Sequence, residues 1–435
     1  MRKMLCLMVL FQSVHLYSQK IGKEEWHTQK FIDHFYYLTE VMFHDVINPP
    51  AAARFYSYSA MAAYQIMSEH NKLPPLNLIL KNYIDDSRPK ENIDENFSAI
   101  YAMLETGKNI IPSGYSLEEK QKLLYKAYLK QGIKKNILDA SVEYAEEVSK
   151  KIIEYSKTDG YLKLSALNRY QPIGADSTWF PTPPEYMGAV EPNWNTIRTF
   201  FLDSACQFKP KDPIYFNTKK TSPFYKSMEE VYTTTKNLSP EQILIAQFWD
   251  CNPFASFYVG HVSVGIKKIS PGGHWMGITG LACQKAKFNL ERTVQAYALV
   301  AMVLHDGFVS CWDSKYKTHR IRPKTAINKY IDPKWNPLLE TPPFPEYTSG
   351  HSVVSTASAE VLTYLFGDNF SYTDNTEVFF GLPERKFNSF FQAADEAAIS
   401  RLYGGIHFMD AIEEGKKQGT KVGKYALSKY FTGAN

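Results

Sequence analysis

A chain of 435 residues is long enough for a large core, as one big domain or as two or three smaller ones. With 44% hydrophobic and 22% charged residues it is globular rather than disordered. A net charge of +4, without any long basic run, argues against nucleic acid as the partner.

The chain opens with basic Arg2 and Lys3, then a short apolar run from Met4 to Phe11. That order predicts a secretory signal over residues 1–18, cleaved after Ser18, and an exported protein, periplasmic or secreted. No later stretch approaches the ~20 apolar residues of a membrane span, the best being Tyr297 to Leu304. Four cysteines would remain, Cys206, Cys251, Cys283 and Cys311, too far apart for a zinc pattern. They read as buried thiols or as one disulfide of open pairing.

Apolar residues at three-four spacing predict a helix over Trp26–Ile47, stopped at Asn48-Pro49-Pro50. A helix rich in small residues follows, then others near Asn96–Thr106, Leu117–Gln131 and Leu138–Ser156. Tyr170 to Trp194, with many Pro, Gly and aromatic residues, reads as a long ordered loop. Ser239 as N-cap and Pro240 at the first helical position restart helix. Further helices are expected near Leu290–Cys311, Ser352–Phe366, Ser389–Leu402 and Phe408–Tyr430. Strand signals are few. The fold expected is all-α: a helical region over 19–236 packed on a C-terminal region, 237–435, that carries the site.

Three segments of the C-terminal region carry chemistry. In the first, Lys315 and Arg322 are seven apart, within about 20° of one face if both lay on one helix. Pro323 pushes Arg322 out of helical geometry, so the helix is expected to end there. In the second, Ser349-Gly350-His351 opens a helix. Free N–H groups, a hydroxyl and a close backbone approach suit an oxyanion there, and His351 is a candidate acid or base, histidine being the side chain type that titrates near neutral pH. In the third, Arg401 and His407 would point about 120° apart on an unbroken helix. Gly404-Gly405 can break the helix and swing His407 back. Asp410, one turn on, is placed to hold the other ring nitrogen of His407. Three cations, one hydroxyl, one backbone amide and two histidines make a site for a tetrahedral oxyanion.

These segments, Lys-x6-Arg-Pro, Ser-Gly-His and Ser-Arg-x5-His, resemble the signature of the vanadium-dependent haloperoxidases and related acid phosphatases. Both belong to the type 2 phosphatidic acid phosphatase superfamily, and the segments occur in the family order. The helical N-terminal part, around His44 to Tyr64, is similar to the bacterial, iodoperoxidase-like branch. The resemblance implies the helical-bundle fold of that family and one vanadate per chain. It implies His407 as the axial vanadium ligand, with Lys315, Arg322, Arg401, Ser349 and Gly350 on the equatorial oxygens. It assigns acid–base work to His351, polarisation of bound peroxide to Lys315, and the halide side to Trp312 and Phe344, with neighbouring Asp313 a candidate to tune selectivity. Two positions depart from the family pattern. Thr348 stands where proline usually precedes Ser-Gly-His, and Asp410 follows His407 by three residues rather than the four usual in the phosphatases.

The reaction expected is oxidation of halide by hydrogen peroxide, iodide first and bromide second. The alternative is an exported acid phosphatase with His407 as phosphoryl acceptor. A non-catalytic oxyanion binder is the third reading. His274 in a Gly-rich loop, His305-Asp306 at a helix end, and His44-Asp45 read as structural, while Asp250 is a weaker candidate for the site wall.

Overall fold

The structure, a computed structural model, describes residues 22–83, 90–183, 186–253, 256–259, 262–265 and 268–434. The expected signal segment lies outside them. Six α-helices lead: α1 (Lys23–His44), α2 (Pro49–Glu69), α3 (Leu76–Ile79), α4 (Glu95–Ile110), α5 (Leu117–Lys130) and α6 (Lys135–Lys157). The Pro-rich segment then runs as ordered loop and short turns to α7 (Pro223–Lys236) and α8 (Pro240–Phe248). A hairpin, β1 (Ser256–Val259) with β2 (Val262–Gly265), precedes α9 (Pro271–Lys285), α10 (Leu290–Thr318) and α11 (Pro323–Tyr330). After α12 (Gly350–Phe366) a second antiparallel hairpin, β3 (Tyr372–Asp374) with β4 (Arg385–Phe387), leads to α13 (Phe390–Tyr403) and α14 (Met409–Ala434).

Local chemistry sets the starts. Asn48 accepts from Ala51 N at the head of α2, and Ser239 forms a full capping box with Gln242 at α8. Ser270-Pro271 repeats that signal, so the segment holding His274 is the first turn of a helix rather than a loop. The glycines concealed the start because they lower helix propensity, and tertiary burial overrides so small a term.

α2 and α10 are buried almost all round, as central helices must be, and one apolar core runs from Phe31 on α1 to Tyr430 on α14. The N-terminal and C-terminal regions therefore share a core. α10 is long and apolar enough to cross a membrane by composition, but 94% of that window is buried within the protein. His305 and Asp306 sit inside it, not at a helix end: Asp306 accepts from the N–H groups of Phe200, Phe201 and Leu202 at 2.7, 2.8 and 3.0 Å. Asp45 likewise serves structure, accepting from Ser113 N.

The pair α12–α14 fixes the site's floor. Gly415, Gly419 and Gly423 lie one turn apart on α14 and let it lie on the α12 backbone. A Cβ on Gly415 would stand 3.0 Å from the carbonyl of Ser349, and one on Gly423 2.9 Å from that of Ala357. The four described cysteines are free thiols, Cys206 exposed and the other three buried.

Candidate active site

Each functional side chain comes from an element end. Lys315 stands in the last turn of α10, fully buried. The helix stops at Thr318, where His319 adopts a left-handed conformation (φ 49°). Arg322 is the extended N-cap of α11, and Pro323 starts that helix rather than ending the one before. Lys315 and Arg322 thus share no helix face; the turn between α10 and α11 brings them together.

Ser349 is the N-cap of α12, its Oγ accepting from Ser352 N at 3.3 Å. That bond uses an oxygen lone pair and leaves the hydroxyl hydrogen for an acceptor in the pocket. Gly350 and His351 supply the first N–H groups of the helix, which have no intrahelical partner by construction. Capping and anion binding are therefore one arrangement.

The two glycines act as expected. α13 ends at Tyr403 after Arg401, and Gly405 turns the chain with φ 74°. A Cβ on Gly405 would meet Pro337 at 3.0 Å and Thr235 at 3.1 Å, so neither the turn nor the packing admits a side chain. His407 then lies in the connection before α14, facing α10 and α12.

His407 is held by a residue that sequence reasoning passed over. Its Nδ1 lies 2.8 Å from Glu346 Oε1, and the same oxygen accepts from Phe408 N at 3.0 Å. Asp410, the expected partner, instead receives Arg320 Nη1 at 2.8 Å and Ile214 N at 3.0 Å. The i,i+3 argument assumed that His407 is helical; it precedes the helix, so its ring turns the other way. Glu346 stands five residues before His351, a carboxylate beside the Ser-Gly-His turn, and that proximity was the available signal. Arg320, 3.2 Å from Glu346 Oε2, completes the support.

Nδ1–H donating to Glu346 leaves the Nε2 lone pair facing the pocket, 3.1 Å from Arg322 Nη1. Burial, then Arg322 and Lys315, hold the His407 pKa well below its ordinary value, so the ring is neutral and able to ligate. Burial and Arg401 do the same for His351. Its Nε2 is buried with no partner, as is Arg322 Nη2.

The charge balance carries the diagnosis. Among the described residues, Arg320 pairs with Glu346 and Asp410, while Lys315, Arg322 and Arg401 form no ion pair with a carboxylate. Arg322 donates to the carbonyls of Phe344 and Ile406, both at 2.9 Å, and Arg401 to that of Trp249 at 2.6 Å. Lys315 faces the carbonyls of Pro345, Glu346 and Thr348, so all three of its donors are engaged. Burial drives the Lys315 pKa down to about 8 and that of Arg322 to about 10. Glu346 acts on Lys315 and Arg322, and Asp250 on Arg401, only from beyond ion-pair distance, and buried cations left without a direct partner are unfavourable by about several kcal/mol each unless an anion joins them.

The remaining wall is aromatic. Trp312 and Phe344 line the cavity with ring centroids 4.9 Å apart, and Lys315 Nζ lies 5.1 Å from the Phe344 centroid. Asp313 is turned away, accepting from Asn195 and Lys317. Asp250 and Cys251 line the opposite wall, and Asp250 is paired with Lys268.

An all-α bundle that aims unpaired cations, a helix N-terminus and a carboxylate-held histidine at one cavity is an oxyanion-holding enzyme. Residues 328–433 match the family model for the VCPO second helical-bundle domain. The crystal structure of a bacterial vanadium-dependent iodoperoxidase superimposes with a TM-score of 0.86, at 42% identity over 92% of this chain and 96% of that one. Its likeness to this chain spans both halves, and the chain belongs to the vanadium-dependent haloperoxidase family. Bacterial vanadium-dependent chloroperoxidases in holo and apo forms share the fold, each with a TM-score of 0.68 at 14% identity and 89% of this chain covered, over 93% and 95% of theirs. No curated protein matches the chain.

Proposed function

We propose that the protein oxidises halide with hydrogen peroxide using one vanadate per chain, iodide in preference to bromide. The observation that carries this is the trio of buried cations without carboxylate partners, grouped around a neutral histidine nitrogen. Vanadate fits that donor set in charge and in type. Bound there, it would supply the electrophilic activation of peroxide toward halide. Iodide is the halide most easily oxidised, and the 42%-identical relative is an iodoperoxidase.

The roles of the residues follow from their geometry. His407 Nε2 is the ligand, kept unprotonated because Glu346 holds Nδ1–H, and its lone pair, which accepts from Arg322 Nη1, would turn to the vanadium. Arg322 Nη2, Arg401, the Ser349 hydroxyl and the Gly350 amide donate to oxyanion oxygens. Lys315 acts through its charge, and donates directly only by giving up one of its three carbonyls. His351, neutral and with Nε2 open to the cavity, takes a proton from incoming peroxide and returns it to the leaving oxygen. Trp312 and Phe344 exclude water from the halide side and lower the local dielectric.

A second reading, phosphoryl transfer to His407, gains support from the Glu346 contact, because a carboxylate-held imidazole is also a competent nucleophile. One comparison separates them. Peroxide-dependent iodide oxidation is measured after loading with orthovanadate, and phosphate release from a phosphomonoester is measured without it. Iodide oxidation that requires vanadate supports the first reading; phosphate release alone sinks it. We also propose export, on the basic-then-apolar order of the first eleven residues. N-terminal sequencing of the natural protein should begin at Gln19.

A further inference from the structure

Behind the pocket wall, three possible metal ligands converge from distant parts of the chain. Cys251 follows α8, His274 lies in the first turn of α9, and Glu377 follows the first strand of the second hairpin. Their relative exposures are 3%, 0% and 4%, so none is a surface group. Cys251 Sγ is 3.4 Å from His274 Nδ1, which is 3.5 Å from Glu377 Oε1, and all three donor atoms lie within 4.8 Å of one another. A tetrahedral zinc, with Zn–S about 2.3 Å and Zn–N or Zn–O about 2.0 Å, separates its ligand atoms by about 3.3–3.5 Å. The Cys251–His274 and His274–Glu377 separations match that spacing.

The surroundings are those a ligand set requires. His274 Nε2 lies 2.8 Å from Asp374 Oδ2, and the other oxygen of Asp374 accepts from Thr376 N and Oγ1 at 3.0 and 2.7 Å. This carboxylate–histidine pair fixes Nε2–H, and against the lowering effect of burial Asp374 and Cys251 hold the His274 pKa well above its ordinary value, so the Nδ1 proton facing Cys251 and Glu377 is the one a cation would displace. The ring is clamped against Trp249, with centroids 4.5 Å apart and planes 17° from parallel. Glu377 Oε1 is buried and makes no hydrogen bond; its near neighbour is His274 Nδ1 at 3.5 Å, an ion-pair distance. A cation at the centre of the three would replace that long contact with a ligand bond. Burial first, and then the Glu377 carboxylate, raises the Cys251 thiol, and burial with Asp374 and Asp250 takes Glu377 up to about 7; a divalent cation would act against both shifts.

We propose that Cys251, His274 and Glu377 bind one zinc-class divalent cation, with water completing a tetrahedron, at a site that adjoins the oxyanion pocket through Cys251 and shares none of the oxyanion-holding residues. Sulfur, imidazole and carboxylate together select a borderline-soft ion over magnesium or calcium. The site would tie the end of α8 to α9 and to the second hairpin. It would thereby steady Trp249, whose carbonyl receives Arg401. Binding displaces the proton from Nδ1 or the thiol, so affinity falls as pH falls.

The test uses the full chain, stripped with a chelator at neutral pH and titrated with zinc alone or cobalt alone. Expected are one zinc per chain by elemental analysis and, with cobalt, a thiolate charge-transfer band together with tetrahedral d–d absorption. Glu377→Gln should weaken zinc binding by about tenfold or more while keeping the thiolate band; Cys251→Ser should lose the band. Zinc should stay bound when excess orthovanadate is added. The wild-type spectrum stands whether or not the variants fold. Absence of a stoichiometric site, a cobalt spectrum without the thiolate band, unchanged affinity in folded Glu377→Gln, or displacement of zinc by orthovanadate would each overturn the proposal.

Discussion

Glu346 decides what His407 can do. By accepting from Nδ1 it selects the tautomer whose Nε2 can ligate, and Arg320 keeps that carboxylate in place. Glu346→Gln, close to isosteric, should lower vanadate affinity by roughly 10- to 100-fold, the usual effect of losing such a support. Titration followed by vanadium NMR measures this, and an unchanged dissociation constant would remove Glu346 from the site. His351→Ala should differ in kind: vanadate binding persists while turnover falls by about 100-fold or more. Equal losses in binding and turnover would make His351 a ligand rather than a proton carrier. The residue types at both positions are plain in the sequence. Which carboxylate serves which histidine is not, because Asp410 and Glu346 are separated only by the direction of the chain between α13 and α14.

At the scale of elements, the site is an assembly of ends. The α10 terminus, the heads of α11 and α12 and the α13–α14 connection each give one or two groups, and their caps are local signals. Ser349 before a helical run was legible for that reason, as was the break at Gly404-Gly405. The start of α9 was not, since Gly272 and Gly273 mask a Ser-Pro helix head whose only compensation is burial. Gly405→Ala places a side chain at φ 74° and against Pro337, a strain of about 1–3 kcal/mol. Its melting temperature should drop, and vanadate affinity should drop further than the stability loss explains, because the same turn aims His407. A variant that melts early yet binds vanadate normally would show that the turn serves stability alone.

For the whole molecule, the unpaired cations predict stabilisation by ligand. At orthovanadate a hundredfold above its dissociation constant, stability should rise by about 2.7 kcal/mol, read as a higher melting temperature. No shift would mean that the cavity does not hold the anion. Acid should act in the opposite direction through His305. It is buried in α10, its Nε2 donates to Arg198 O at 3.0 Å, and burial takes its pKa down to about 4. Unfolded, the ring takes a proton below about pH 6.5; folded, it stays neutral down to about 4, so stability is lost as pH falls between those values. Between pH 7 and pH 5 the wild type should lose about 2 kcal/mol more than His305→Gln in denaturant unfolding. Parallel losses in both would show that His305 is charged in the fold.

The sequence by itself determined the class of the fold and the inventory of the site. Helical periodicity, caps and three short motifs are properties of neighbouring residues, and they reach as far as a turn or a loop. Pairing was left to the tertiary structure: Glu346 with His407, Asp410 with Arg320, Asp313 away from the cavity, and Cys251 with His274 and Glu377. Those contacts join residues up to 126 positions apart (Cys251 to Glu377). No local rule orders them, because each depends on how far one helix slides and turns against another, and here the glycine stripe of α14 and the shared core set that distance.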